Sequence, residues 1–128
     1  MKKLLIIPLL FACYMGMGQA IDSASIIGKS IKIGNLFVAQ YDFSDKMNWK
    51  EAKAACASLG KGWRLPTRVE LNTLYQNRAK IGGFANGTYW SSNRYVFFHA
   101  AWILLFFNGF YGISNKYSTF YVRAVRSI

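Results

Sequence analysis

The stretch Trp63-Arg64-Leu65-Pro66-Thr67-Arg68-Val69-Glu70-Leu71 constrains this chain more than any other, because it fixes where an extended segment ends and a helix begins. Pro66 holds its own φ at about −65° and biases Leu65 toward an extended conformation, so the backbone arrives here as strand or loop. Thr67 then stands where a helix cap belongs. Its hydroxyl can accept from the N–H of Glu70 while the Glu70 carboxylate accepts from the N–H of Thr67, a capping box worth about 1 kcal/mol. Leu71, Leu74 and Tyr75 follow at helical spacing as one apolar stripe, which predicts a helix over residues 68–77.

Upstream, Ile31 and Ile33 and then Leu36-Phe37-Val38 read as two short strands joined by the turn pair Gly34-Asn35, with Tyr41-Asp42-Phe43 as a candidate extension. Ser44, Asp45 and Asn48 offer caps to a first helix that carries Trp49, Ala52, Ala55, Cys56 and Leu59 on one face and ends at Gly60. Most of that face is Ala or Cys, so the helix can lie close against a sheet. Beyond Ile81-Gly82-Gly83 the pattern changes to aromatics, β-branched residues and turn pairs, which predicts antiparallel strands. Tyr89-Trp90-Ser91-Ser92 reads as a short strand, and residues 101–107 as a continuous apolar strand ended by the hairpin pair Asn108-Gly109. Phe110-Tyr111 returns along it, Asn115-Lys116 turns again, and residues 120–126 read as a last, central strand with Val122 and Ala124 on one face and Arg126 a candidate third. The expected fold is α+β, in one domain over residues 21–128.

Residues 1–20 read as a secretory signal peptide: Lys2 and Lys3 precede an apolar run over residues 4–12, and small residues lead to Gly18-Gln19-Ala20. The run falls short of the roughly 20 residues that span a bilayer. The rival is a lipoprotein, with Leu10-Phe11-Ala12-Cys13 as the lipobox and Cys13 as a lipid anchor, although Phe11 fits that motif poorly. Either way the domain is expected to be secreted, periplasmic or at the cell surface. Loss of Lys2 and Lys3 lowers the formal charge from +11 to +9, since all five acidic residues (Asp22, Asp42, Asp45, Glu51, Glu70) stay behind. Such a surface favours sulfated or uronic polysaccharide, lipid headgroups or nucleic acid, and export makes nucleic acid the least expected. Equally, the charge can serve solubility alone.

No catalytic set stands out. His99 is the only histidine, its apolar neighbours place it in a strand or strand entry, and zinc ligands are sparse. Once the leader is gone Cys56 is the one remaining cysteine, expected to be a small buried hydrophobe rather than a nucleophile. Between Arg78 and Ala100 there is no Asp or Glu, which argues against calcium-dependent sugar binding. The same segment holds Arg78, Lys80, Arg94, Tyr95 and His99 among Asn and Gly residues. These are the candidate ligand-binding residues, arginine for bidentate sulfate or carboxylate pairing and tyrosine for stacking; an ordinary solvated loop has the same composition. Arg64, Arg123 and Arg126 lie in apolar stretches and are expected to be held by carboxylates or backbone carbonyls, with Glu70 the nearest partner. Trp63, Trp90 and Trp102 are expected in the core.

The ordered series Trp49-x-x-Ala52-x-x-x-Cys56, Gly62-Trp63-Arg64-Leu65-Pro66-Thr67-x-x-Glu70-Leu71, Tyr89-Trp90-Ser91-Ser92, Ala101-Trp102, Gly109 and Val122-Arg123-Ala124-Val125-Arg126 resembles a bacterial exported domain family. That family is typified by the C-terminal domain of a collagen-like surface adhesin and is similar in fold to C-type lectins and to formylglycine-generating sulfatase modifiers. The resemblance implies a C-type-lectin-like fold, two helices flanking a twisted antiparallel sheet, with the N- and C-terminal strands paired at its base. It implies structural roles for Trp63, Arg64, Pro66, Thr67, Glu70, Trp90, Arg123 and Arg126. Many relatives carry a cysteine where this chain has Ala124, so Cys56 and Ala124 are implied to be core neighbours without a bond. The constraint that bond would add is typically 2–4 kcal/mol, and aromatic packing at 17% aromatic content stands in for it. The copper-binding cysteine pair of the sulfatase modifiers has no counterpart in residues 21–128. The resulting expectation is a non-enzymatic binding domain with no metal or cofactor, for an anionic polysaccharide or another cell-surface component. Two alternatives stay open: a structural or assembly subunit of a surface appendage or envelope complex, and a degenerate enzyme-fold scaffold.

Overall fold

The structure, a computed structural model, describes residues 22–128; the signal-peptide and Cys13 lipid-anchor readings fall outside them. A short helix α1 (Ser23–Ile27), capped by Asp22, leads into β1 (Ile31–Ile33) and β2 (Leu36–Val38). These pair antiparallel around Gly34-Asn35, with Gly34 at φ 58°. Helix α2 (Trp49–Ser58) starts on a capping box between Asn48 and Glu51. A two-residue strand β3 (Trp63–Arg64) follows, and then α3 (Arg68–Gln76), which starts on the box that Thr67 and Glu70 predict. One further turn, α4 (Arg78–Ile81), ends at Gly82. The rest is β: β4 (Thr88–Tyr95), β5 (Ala100–Leu105), β6 (Tyr111–Asn115) and β7 (Val125–Ser127).

Two sheets form. One has the order β1-β2-β7-β3, so the last strand is central as expected and pairs with β2, joining the two ends of the described chain. The other is the antiparallel meander β4-β5-β6. Helix α2 turns Trp49, Ala52 and Cys56 into an apolar cluster with Trp63, Trp90, Ala101 and Val122, while α3 turns Leu71 and Leu74 into a second with Val38, Tyr89, Leu104 and Val125. Cys56 and Ala124 are both fully buried in the first cluster. Burying tryptophan requires a partner for its N–H. Trp49 Nε1 donates to the Ser91 carbonyl at 2.9 Å, and Trp90 Nε1 to the Met47 carbonyl at 2.8 Å.

Three expectations are corrected. The ladder of the last strand forms only at Val125–Ser127, not over residues 120–126. Residues 39–47 curve past it, so that Ala39, Phe43 and Met47 meet Ala124, Val122 and Phe120 in turn, four residues on one side against two on the other. Enclosed all round, Val122, Arg123, Ala124 and Val125 are all buried and do not alternate. For the same reason Tyr41-Asp42-Phe43 does not extend β2. His99 lies in the exposed turn between β4 and β5 rather than in a strand.

Candidate functional site

The arginines of the apolar stretches divide into three kinds. Arg64 grips Glu70 with both terminal guanidinium nitrogens, at 2.7 and 3.0 Å, and donates to Ser127 Oγ at 2.8 Å, tying β3, α3 and β7 together. Burial pushes the Glu70 carboxyl up, but Arg64 and the Thr67 N–H outweigh it and hold the group below its ordinary 4.5. Arg123 is fully buried, and its partner is Asp42, not Glu70: Nε donates to Asp42 Oδ1 at 2.7 Å, and the other nitrogens donate to the carbonyls of Ala39 and Gly82. The Tyr89 hydroxyl donates to the second Asp42 oxygen and accepts from the Ala85 N–H. Burial and then the Asp42 carboxylate push that hydroxyl well above its ordinary range, so it stays a donor. Arg126 corrects the expectation of a carboxylate or carbonyl partner. Its guanidinium lies 5.0 Å from the Phe37 ring centre and 5.7 Å from that of Trp63, held by aromatic faces.

The candidate binding residues do not form one group. Arg78 stacks at 4.0 Å on Tyr75, donates to the Tyr75 carbonyl, and with Phe84, Asn86 and Phe106 lines a shallow cavity of about 200 Å³; Lys80 is exposed on the same short helix. Arg94, Tyr95 and His99 lie at the far end of β5, where Arg94 pairs with Ala101 and Tyr95 with Ala100. The length of β5 puts the two groups roughly 17 Å apart at 3.4 Å per residue. Neighbouring residues on a strand face opposite sides, so Arg94 and Tyr95 also diverge from each other.

Tyr95 belongs to an arrangement that sequence reasoning missed. Register places Tyr95, Trp102, Ile113 and Tyr111 on one face of the meander, and Trp102 is only half-buried, which corrects its assignment to the core. Its ring meets Tyr95 at 5.8 Å and Tyr111 at 6.2 Å, both edge to face. Helix α3 delivers Arg68 to this face. The Arg68 guanidinium lies 4.1 Å above Trp102 and 5.8 Å from Tyr111, and the Tyr111 hydroxyl donates to the Arg68 carbonyl at 3.1 Å. Among the described residues the half-buried Arg68 guanidinium makes no hydrogen bond or ion pair, so its planar donors are unspent above an aromatic support. The available signal was the alternation of Tyr111 and Ile113 on a strand whose odd positions are all exposed. Elsewhere polar chemistry is consumed by the fold. Asp22 and Glu51 serve helix caps, Asp42 and Glu70 serve arginines, and burial pushes the Cys56 thiol up to about 12.

A family model described as the Lcl C-terminal domain matches residues 28–126. No curated protein matches the chain. Among solved structures it is similar to EMS16, an antagonist of the collagen receptor integrin alpha2beta1, at 12% identity and a TM-score of 0.57, covering 77% of this chain and 97% of that one. Botrocetin is similar at 11% identity and a TM-score of 0.59, and the complex of botrocetin with the I546V von Willebrand factor A1 domain at 9% and 0.58; each covers 79% of this chain and 98% of the other. At such identities the likeness is one of fold, and the α+β, C-type-lectin-like architecture is what they share.

Proposed function

The chain belongs to the Lcl C-terminal domain family, and from that premise we propose that it is a secreted or surface-attached, non-enzymatic binding domain for an anionic glycan. The observation that carries this is the Arg68 guanidinium, held 4.1 Å over the Trp102 ring and unpaired among the described residues, beside the rings of Tyr95 and Tyr111. A sulfate or carboxylate group takes two parallel N–H donors from a guanidinium, and a sugar ring packs against the neighbouring aromatics. His99 lies in the turn at the hairpin end of the face, while Arg94, on the other side of the sheet, and Arg78 and Lys80, at the opposite end, contribute long-range attraction. Residues 71–128 contain no Asp or Glu, so the strands of this face bring no side-chain carboxylate to repel an anion or to bind calcium.

Retention on immobilised heparin tests this with a charge-matched pair. R68A is expected to elute at markedly lower salt than wild type, R68K to restore only part of the retention because it keeps the charge without the fork, and R78A to shift little; EDTA changes nothing. Equal shifts for R68A and R78A mean that net charge alone is being read.

A second reading, recognition of a protein partner in an envelope or appendage assembly, is favoured by the open edge of β6, where Tyr111 and Ile113 are each 42% exposed. The fold serves protein recognition in EMS16 and in botrocetin's complex with the A1 domain. Stable self-assembly without glycan, abolished by I113D, is the result that would favour it.

A further inference from the structure

Among the described residues the β1–β2 and β5–β6 turns and the turn after β6 are built from residues that turns require. Gly34-Asn35, Asn108-Gly109 and Asn115-Lys116 each offer Gly or Asn. The β4–β5 turn is Val96-Phe97-Phe98-His99, and its three apolar side chains are 82%, 60% and 83% exposed. Phe98 and His99 also take positive φ, 63° and 46°, a backbone that bulky side chains adopt only at a cost. Neither packing nor turn geometry accounts for apolar residues here.

The rings continue inward as a string. Phe98 meets Phe97 at 5.9 Å, Phe97 meets Tyr95 at 6.1 Å, and Tyr95 meets the half-buried Trp102. Arg94 and Lys116 flank the base of the turn, and Lys53 shares the Trp49 ring with Lys116. Arg94 is exposed at its root, Lys116 donates its backbone N–H to the His99 carbonyl, and the ammoniums of Lys116 and Lys53 lie 4.5 and 4.2 Å from the Trp49 ring. Glu51, the acid on this part of α2, is engaged in the Asn48 cap.

We propose that the β4–β5 turn is a membrane-docking tip, which inserts Val96, Phe97 and Phe98 into an anionic bilayer while Arg94, Lys53 and Lys116 meet the headgroups. Apolar insertion inside a basic collar is the pairing of forces by which peripheral proteins hold anionic lipid, and Tyr95 and Trp102 stand behind the tip, where amphipathic rings favour the interface. Charge complementarity selects this occupant. A glycan offers no apolar interior to three consecutive apolar side chains, and a second copy would set one basic collar against another. The docking tip adjoins the Arg68 face through Tyr95 and Trp102, while Val96, Phe97 and Phe98 themselves lie beyond that face in the turn.

Residues 21–128, which hold both sheets and both apolar clusters, are the form to test, by sedimentation with vesicles of phosphatidylcholine alone and with added phosphatidylglycerol. Binding is expected to the anionic vesicles, with F97S/F98S weakening it about tenfold or more at unchanged melting temperature. F107S/F110S, at the opposite end of the meander, leaves binding intact. Tryptophan placed by F98W is expected to shift to the blue and to be quenched by brominated lipid. Three results would overturn the proposal: no vesicle binding, anionic-vesicle binding that F97S/F98S leaves intact, or a dimer that F97S/F98S dissolves without any vesicle binding.

Discussion

Glu70 shows how one side chain can serve a helix and a sheet at once. Its Oε1 accepts from the Thr67 N–H at 2.9 Å and from Arg64 at 2.7 Å, and its Oε2 accepts the second arm of Arg64 at 3.0 Å. Because the folded carboxyl is held below its ordinary 4.5, folding favours the ionised form. Its stabilisation is therefore fully present above about pH 4.5 and is lost as pH falls through the lower folded value. Arg64 is 37% and Glu70 25% exposed along their side chains, so water screens the pair and the whole contribution, cap included, is about 1 kcal/mol. E70Q is expected to lower stability by that amount at neutral pH in urea melts. The gap should close progressively as both proteins are taken below pH 4.5; a gap that stays constant through pH 3 would mean that the ionised form of Glu70 contributes nothing.

Two hairpins separate backbone freedom from close packing at the scale of the element. Gly34 and Gly109 both sit at positive φ in tight turns, but a Cβ on Gly34 would meet nothing within 4 Å, whereas one on Gly109 would lie 2.5 Å from the Tyr75 ring. G34A is thus expected to cost about 1 kcal/mol, from conformation alone, and G109A at least about 2 kcal/mol more, because Tyr75 is itself packed against Phe106. Chemical denaturation of the two variants decides it, and equal losses would show that the β5–β6 turn yields freely. Elements of this kind were legible in the sequence because their signals are local. Thr67 and Glu70 mark a helix start within four residues, and Gly34-Asn35 and Asn108-Gly109 mark hairpins within two. The Arg68 face was not legible in the same way. Arg68 reads as the first residue of a helix and Trp102 as one of seven apolar residues in a row, and only the crossing of α3 over β5 sets one on the other.

Over the whole molecule the charges divide unevenly, with every acid at or before residue 70 and none in the 58 residues after it. The buried arginine of the last segment must therefore find its counter-charge far upstream, and it does so in Asp42, 81 residues away. No spacing rule links the two, which is why Glu70, near in sequence to Arg64, drew the expectation instead. The pair joins four parts of the chain: Arg123 from the last segment, Asp42 and Ala39 after β2, Gly82 after α4, and Tyr89 on β4. Cys56 and Ala124 lie buried in the first apolar cluster without a bond, so this region is held by packing and by the neighbouring ion pair. Removing one partner strands a charge that water cannot reach, so D42A is expected to cost about 3–5 kcal/mol, a large share of a small domain's total. D42A/R123M removes the stranded charge and fills its space with an apolar side chain of similar reach. It should be more stable than D42A by about 1–3 kcal/mol, although the Tyr89 hydroxyl still lacks its acceptor. Denaturation of wild type, D42A, R123M and the double variant closes the cycle, and purely additive losses would mean that Asp42 and Arg123 stabilise the fold independently rather than as a pair.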